Sequence, residues 1–247
     1  MSKDLLKKLF SIGCIVACIG GCAPTATDRA GRVPEIYIST TEDVDAVAEA
    51  EALFSLSQEE VATSEELLDI AILFAKSGNL ERSFNTLSLV VSNQLSDFRF
   101  VDYSILKIEL AVQRRDANEA IISLENPRFE QLQQTFDRFY QQRILSIRSD
   151  ISELQGNSFD SIRYSIQLVS MLSSSSDIVN VHDKIWSQLA EQPYQKLISC
   201  SEGQQTLLAD WCELSASVRN YQKNPDVMPA VLANWRANHL NHPAEKN

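Results

Sequence analysis

Three short stretches, KSGNLERS around Gly78, QRRDANEA around Arg115 and LQGNSFDS around Gly156, place the same kind of helix break at spacings of 37 and 41 residues. Gly78 can take the left-handed backbone conformation that ends a helix, and Asn79 beside it can begin the next one. Before the first break Leu67, Ile70, Ala71, Phe74 and Ala75 recur three and four apart, and after it Leu80, Phe84, Leu87, Leu89 and Val91 form a second stripe. That is the period of amphipathic helices, so helix, break and helix make a hairpin. Five positions past each break stands a small residue, Ser83, Ala120 or Ser161, where a second helix can cross close to the first. A repeat of about forty residues with this pattern is a stacked helix-hairpin array. Each hairpin can bury its apolar face only against its neighbours. The expected fold is therefore all-α, a tetratricopeptide-like helical-hairpin solenoid with a long groove. The large aromatic signature positions of a tetratricopeptide are mostly filled by other residues.

Glycine usage agrees with this. Beyond residue 22 only Gly31, Gly78, Gly156 and Gly203 remain, too few for a chain of many tight β-turns or for Gly-rich phosphate loops.

The amino terminus reads differently. Lys3, Lys7 and Lys8 form a positive head, and Leu9 to Ile19 form an apolar run of the length of a secretory signal core, roughly 7–15 residues. A membrane-spanning helix needs about 20 predominantly apolar residues, which this run reaches only by counting Gly20, Gly21 and Pro24. Ile19-Gly20-Gly21-Cys22 resembles the lipobox of bacterial lipoproteins, in which cleavage precedes the cysteine and diacylglycerol joins its sulfur. Cys22 is therefore the expected lipidation site, residues 1–21 the signal peptide, 22–41 a Pro-, Ser- and Thr-containing tether, and 42–247 the helical repeat domain. Removing residues 1–21 leaves 19 basic and 32 acidic residues, a net charge of −13, which argues against nucleic acid or anionic lipid as partners. Ala23 follows the cysteine where aspartate would signal inner-membrane retention, so the expected location is the periplasmic face of the outer membrane.

Toward the carboxyl terminus, DIVNVHDKIWSQLAEQ carries Val181, Ile185, Trp186 and Leu189 on one side of a helix, and two further helices break at Asn224-Pro225, where proline disfavours helical geometry for the residue before it. MLSSSSDIV reads as a loop capping the next helix through Ser176 or Asp177. Trp186, the run LADWCEL at 208–214 and the closing NWRANHLNHPA at 234–244 resemble the final helices of the amino-terminal domain of the LpoA lipoproteins. That family consists of outer-membrane lipoproteins that activate a class A penicillin-binding protein. The resemblance implies a tetratricopeptide-like domain that regulates peptidoglycan synthesis through a protein partner in the envelope. Family members continue into a large α/β domain to which synthase docking is attributed, and this chain stops at Asn247.

Chemistry is sparse. Gly-x-Ser-x-Gly, His-Glu-x-x-His and the P-loop pattern do not occur, so the motif routes to hydrolases and nucleotidases are empty. No catalytic residue, cofactor or metal is expected, and the chain reads as a non-enzyme. His239 and His242 are expected at the surface, and Trp186, Trp211 and Trp235 in the core rather than on a sugar. Asp137, Arg138, Arg143, Arg148 and Asp150 suggest a solvated, ion-paired helix face. Cys200 and Cys212 invite a disulfide in an oxidising compartment. A helix beginning near Gly203 would set Cys212 about 13 Å along its axis, so two unpaired thiols are expected. Two functional classes remain: a lipid-anchored scaffold that regulates a class A penicillin-binding protein, and a peptidoglycan-binding or envelope-remodelling lipoprotein that uses the solenoid groove.

Overall fold

The left-handed turns predicted from sequence are the joints of the molecule. In the computed structural model, which describes residues 43–59, 62–202, 206–222, 225–240 and 242–246, Gly78 and Gly156 have φ of 83° and 74°, and Arg115 has 58°. Each turn makes the same pair of backbone bonds. The amide after the left-handed residue reaches back five positions, Asn79 to Phe74, Asp116 to Ala111 and Asn157 to Ser152, at 2.8–2.9 Å. This is the Schellman closure that satisfies the last carbonyls of a helix. Asn79 and Asp116 then cap the following helices by accepting from the amides of Arg82 and Glu119.

The described residues form twelve α-helices and no strand. Helix α1 spans Val44–Glu59, α2 Ser64–Lys76, α3 Leu80–Leu87, α4 Asp97–Gln113, α5 Ala117–Leu124, α6 Pro127–Gln133, α7 Arg138–Leu154 and α8 Ser158–Met171. The remainder are α9 Ser175–Glu191, α10 Tyr194–Ser201, α11 Leu207–Tyr221 and α12 Met228–Asn238. Hairpins α2–α3, α4–α5 and α7–α8 stack, first helix on first helix, and each second helix also meets the following hairpin. The fold is an all-α, tetratricopeptide-like hairpin array. The inserted helix α6 lengthens the link before α7 by four residues relative to the link before α4, which accounts for the second spacing being 41 rather than 37.

Ser83, Ala120 and Ser161 are fully buried at the crossings. Ser83 Oγ donates to the Ala71 carbonyl across its hairpin at 2.8 Å. Ser161 Oγ meets Ser149 Oγ at 2.9 Å, Ser165 lies 3.0 Å from Ser149, and Gln188 Nε2 donates to Ser161 and to Glu153. This polar seam where α7, α8 and α9 meet separates two apolar clusters. One runs from Leu68 on α2 to Ile151 on α7; the other joins Ile162, Ile185, Leu189, Leu197, Trp211 and Cys212.

Two expectations are corrected here. Leu89 and Val91 do not continue the stripe of α3, because that helix ends at Leu87 and both side chains are exposed. The helix after the serine run begins at Ser175, with Ser174 as its flanking residue rather than Ser176 or Asp177. Asp177 instead occupies the first turn, where the helix dipole favours a negative charge.

Of the charged residues expected on a solvated, ion-paired face, Asp137 and Arg138 are exposed, Arg148 and Asp150 are partly exposed, and Arg143 is buried. Asp137 caps α7 through the Tyr140 amide, Arg138 caps α8 by donating to the Met171 carbonyl at 2.9 Å, and Asp150 accepts from Lys184 on α9 at 2.6 Å. Arg143, 2% exposed, makes a bidentate pair with Glu109 on α4, both bonds 2.7 Å. Its position in the register of Ile144, Ile147 and Ile151 turns it inward. Similar rungs join other neighbours. Arg82 binds Glu51, and Arg99 binds both Asp69 and Asp102. Asp102 also accepts from the Tyr140 hydroxyl at 3.1 Å.

Two stability effects follow. Gly156→Ala should cost about 1 kcal/mol, and only through backbone strain, since an added Cβ meets nothing within 4 Å. Arg115→Gly, at the equivalent turn, should be neutral or stabilising by up to about 1 kcal/mol. Chemical denaturation of the two variants checks the opposite signs. Glu109→Ala strands a buried guanidinium and should cost about 3–5 kcal/mol. The double replacement Glu109→Leu with Arg143→Met should recover most of that loss in the same assay.

Candidate functional site

Cys22 lies outside the described residues. Within them, the densest gathering of chemically distinctive side chains is at the carboxyl-terminal end, where α9, α11 and α12 converge. Helix α9 turns Ile185 and Leu189 fully inward, with Val181 and Trp186 packed against the same cluster. Trp211 on α11 is 1% exposed and meets the Trp186 ring edge-on at 5.1 Å and the His182 ring at 5.4 Å. Trp235, 4% exposed, is the buried residue of α12. The expectation that the tryptophans build core is met: two are buried and Trp186 is half-buried beside them.

The histidines depart from expectation. His242 is 3% exposed and sits between two indoles, its ring 5.2 Å from Trp211 and 4.8 Å from Trp235. Burial pushes its pKa below the ordinary histidine value, against the pull of Asp210 in the other direction. His239 stacks on Trp235 at 4.5 Å. Its Nδ1 donates to the Trp235 carbonyl at 2.8 Å, and Nε2 lies 3.5 Å from carboxylate oxygens of both Asp210 and Glu213. The expectation that both histidines lie at the surface is corrected: His242 is buried and His239 half-buried. The chain after α12 turns back on itself, with the His242 amide bonded to the His239 carbonyl at 3.1 Å, and so carries His242 into the core.

The cysteines also depart from expectation. Cys200 and Cys212 are disulfide-bonded, with Cα atoms 6.0 Å apart. Helix α11 begins at Leu207 rather than near Gly203, and Cys200 lies within α10 rather than ahead of α11. The two helices pack as a hairpin, so a cysteine near the end of one comes level with a cysteine one and a half turns into the other. The bond staples this hairpin beside Trp211, with Cys212 fully buried.

Among the described residues no group of three His, Cys, Asp or Glu side chains could hold a metal, and no helix is long and apolar enough to cross a membrane. A shallow, mostly apolar groove lies between α11 and α12, lined by Tyr221, Gln222, Met228, Pro229, Leu232 and Arg236. It brings together no nucleophile and base. The arrangement can pack, staple and present surface.

Sequence reasoning missed Glu109, Asp102 and Tyr140 as interhelix partners. The available signal was opposite charge or hydrogen-bonding complementarity about one repeat apart: 51 with 82, 69 with 99, 109 with 143, 150 with 184.

Fold and site together define a hairpin-array scaffold with a disulfide-stapled, tryptophan-rich end. The family model described as "LppC putative lipoprotein" matches residues 45–247, and the chain belongs to that family. Solved structures agree in fold. The LpoA N-terminal domain from Haemophilus influenzae matches with a TM-score of 0.60 at 16% identity, over 79% of this chain and 88% of that one. The E. coli LpoA amino-terminal domain matches with a TM-score of 0.59 at 19% identity, over 83% and 94%. Full-length LpoA from H. influenzae matches with a TM-score of 0.59 at 16% identity, over 79% of this chain but only 35% of that one. The chain thus spans about a third of the full-length relative. No curated protein matches it by sequence.

Replacing Trp235 by Ala removes the one large anchor of α12 and should cost about 3–5 kcal/mol, read by thermal or urea unfolding. If Trp235 serves packing alone, a second-site stabilising substitution should restore every binding property the variant loses.

Proposed function

We propose that this chain is a non-enzymatic envelope lipoprotein, anchored through Cys22 on the periplasmic face of the outer membrane, that helps regulate peptidoglycan synthesis through protein contacts. The family match over residues 45–247 carries this reading. The likeness in fold to LpoA N-terminal domains supports it, and so does the lipobox resemblance at Cys22. The partner it points to is a class A penicillin-binding protein. The physical logic is reach: a lipid-fixed base and a stacked array of hairpins carry a contact surface away from one membrane toward a synthase in the other.

One observation favours glycan contact as a second reading. Phe98, at the start of α4, is 64% exposed and meets Tyr140 edge-on at 6.5 Å, beside the charged Arg99–Asp69–Asp102 group. An open aromatic face next to fixed polar groups suits a sugar.

Crosslinked envelopes separate the readings. The wild-type chain should fractionate with the outer membrane and co-purify with a class A synthase. Cys22→Ser should lose both membrane attachment and the crosslink. Residues 23–247 alone should leave synthase activity unchanged. Strong stimulation by that fragment would place an activating surface on the helices, and binding to purified sacculi that Phe98→Ala abolishes would move the function to glycan. Fractionation of the lipidated chain with the inner membrane would overturn the anchoring.

A further inference from the structure

The segment that follows α12 is tied to a titratable side chain through one of its ring nitrogens. Nδ1 of His242 accepts the backbone N–H of Ala244 at 3.2 Å. That bond closes the turn leading into Pro243–Lys246 and requires the neutral ring to carry its proton on Nε2. A second proton can enter only at Nδ1, where it would face the Ala244 N–H, donor against donor. The same proton would put a charge into a seat that is 3% exposed, formed by the rings of Trp211 and Trp235. Ala244 packs against the cluster around Trp211, Cys200 and Cys212, so the turn is also a lid on that cluster.

The charged and titratable groups around His242 come from three helices: Asp210 on α11, His239 on α12 and His182 on α9. Asp210 and a backbone hydrogen bond at Leu207 favour a proton there, and burial, the largest influence, together with His239 and His182 outweighs them. His239 has the reverse geometry. Its Nε2 faces Asp210 and Glu213, each at 3.5 Å, so a proton on that nitrogen gives α12 two carboxylate partners on α11.

We propose that residues 242–246 form a pH-operated latch, seated between Trp211 and Trp235 when His242 is neutral and released on acidification, while α12 stays held to α11 through His239. The sign follows from which state binds the proton less well. The seated ring resists protonation more than the free one, so the latch is fully closed above the ordinary histidine range. Its closure weakens as pH falls through that range toward the depressed seated value. A reversible opening of this kind exposes the faces of Trp211 and Trp235 beside the disulfide, a change of surface that an envelope partner can read.

The test is proton NMR of the mature full chain between pH 8 and 4.5, with amide exchange on the same samples. The His242 Cε1 proton should start ring-current shifted by the two indoles. It should move to the free-histidine position as it titrates, with a midpoint below that of an exposed histidine. Over the same interval amide protection at His242 and Ala244, corrected for intrinsic exchange, should fall at least tenfold, while α11 keeps its protection. His242→Asn preserves an acceptor two residues before the Ala244 amide and cannot titrate, so its protection should be independent of pH. His239→Gln should keep the transition and loosen α12 across the whole range. The proposal is overturned if His242 titrates without losing its ring-current shift. It is equally overturned if His242→Asn, seated at pH 8, shows the same acid release. Should that variant fail to seat the turn at any pH, the wild-type ring-current titration alone decides.

Discussion

A helical hairpin of this length has an apolar face and nothing of its own to cover it with, and every other feature of the molecule answers to that constraint. Burial against the neighbouring hairpin supplies the free energy, but apolar contact is non-directional and would tolerate sliding or rotation of one repeat over the next. Directional contacts remove that freedom. The bidentate Arg143–Glu109 pair, Asp102 shared by Arg99 and Tyr140, and Lys184 reaching Asp150 each fit one register. A buried ion pair adds little net stability over well-packed apolar side chains. Its contribution here is to make the wrong register costly, because a slipped hairpin would leave a desolvated charge unpaired.

The array was legible in the sequence because its determinants are local. Left-handed closure needs one permissive residue and a polar neighbour, and close crossing needs one small residue five positions on. Both recur at Gly78, Arg115 and Gly156 even though the middle turn spends an arginine at φ 58°. What escaped was whatever depends on which helix faces which. Arg143 looked solvated because charge usually is, yet its place beside Ile144 and Ile147 put it inside. Cys200 looked too far from Cys212 because the helix start was placed near Gly203, and moving it to Leu207 brings the pair level across a hairpin. His242 was expected at the surface, and the turn after α12 sets it between Trp211 and Trp235 instead. The tryptophans were read correctly as core, since size alone decides their burial.

Two of these misses, the disulfide and His242, lie at the carboxyl-terminal end. Among the described residues the last hairpin has a neighbouring repeat on one side, and devices other than repeat-on-repeat stacking cover its apolar face. Those devices are a disulfide, a cluster of indoles and imidazoles, and a returning turn, none of which follows the rhythm of the inner repeats. The LppC family match spans both parts, the inner repeats and this end alike, since it covers residues 45–247.

The hydrogen-bonded seam of Ser149, Ser161, Ser165 and Gln188 has a consequence for how the two apolar clusters are joined. Apolar contact is the main source of cooperativity between packed elements, and the seam interrupts it between the Leu68–Ile151 cluster and the cluster centred on Trp211. The two clusters are therefore joined through a buried polar layer, set within the closely packed hairpin of α7 and α8. Each hydroxyl of that layer is satisfied by another helix, so removing one leaves its partners buried with a hydrogen bond unmade, a cost that the apolar packing on either side does not recover.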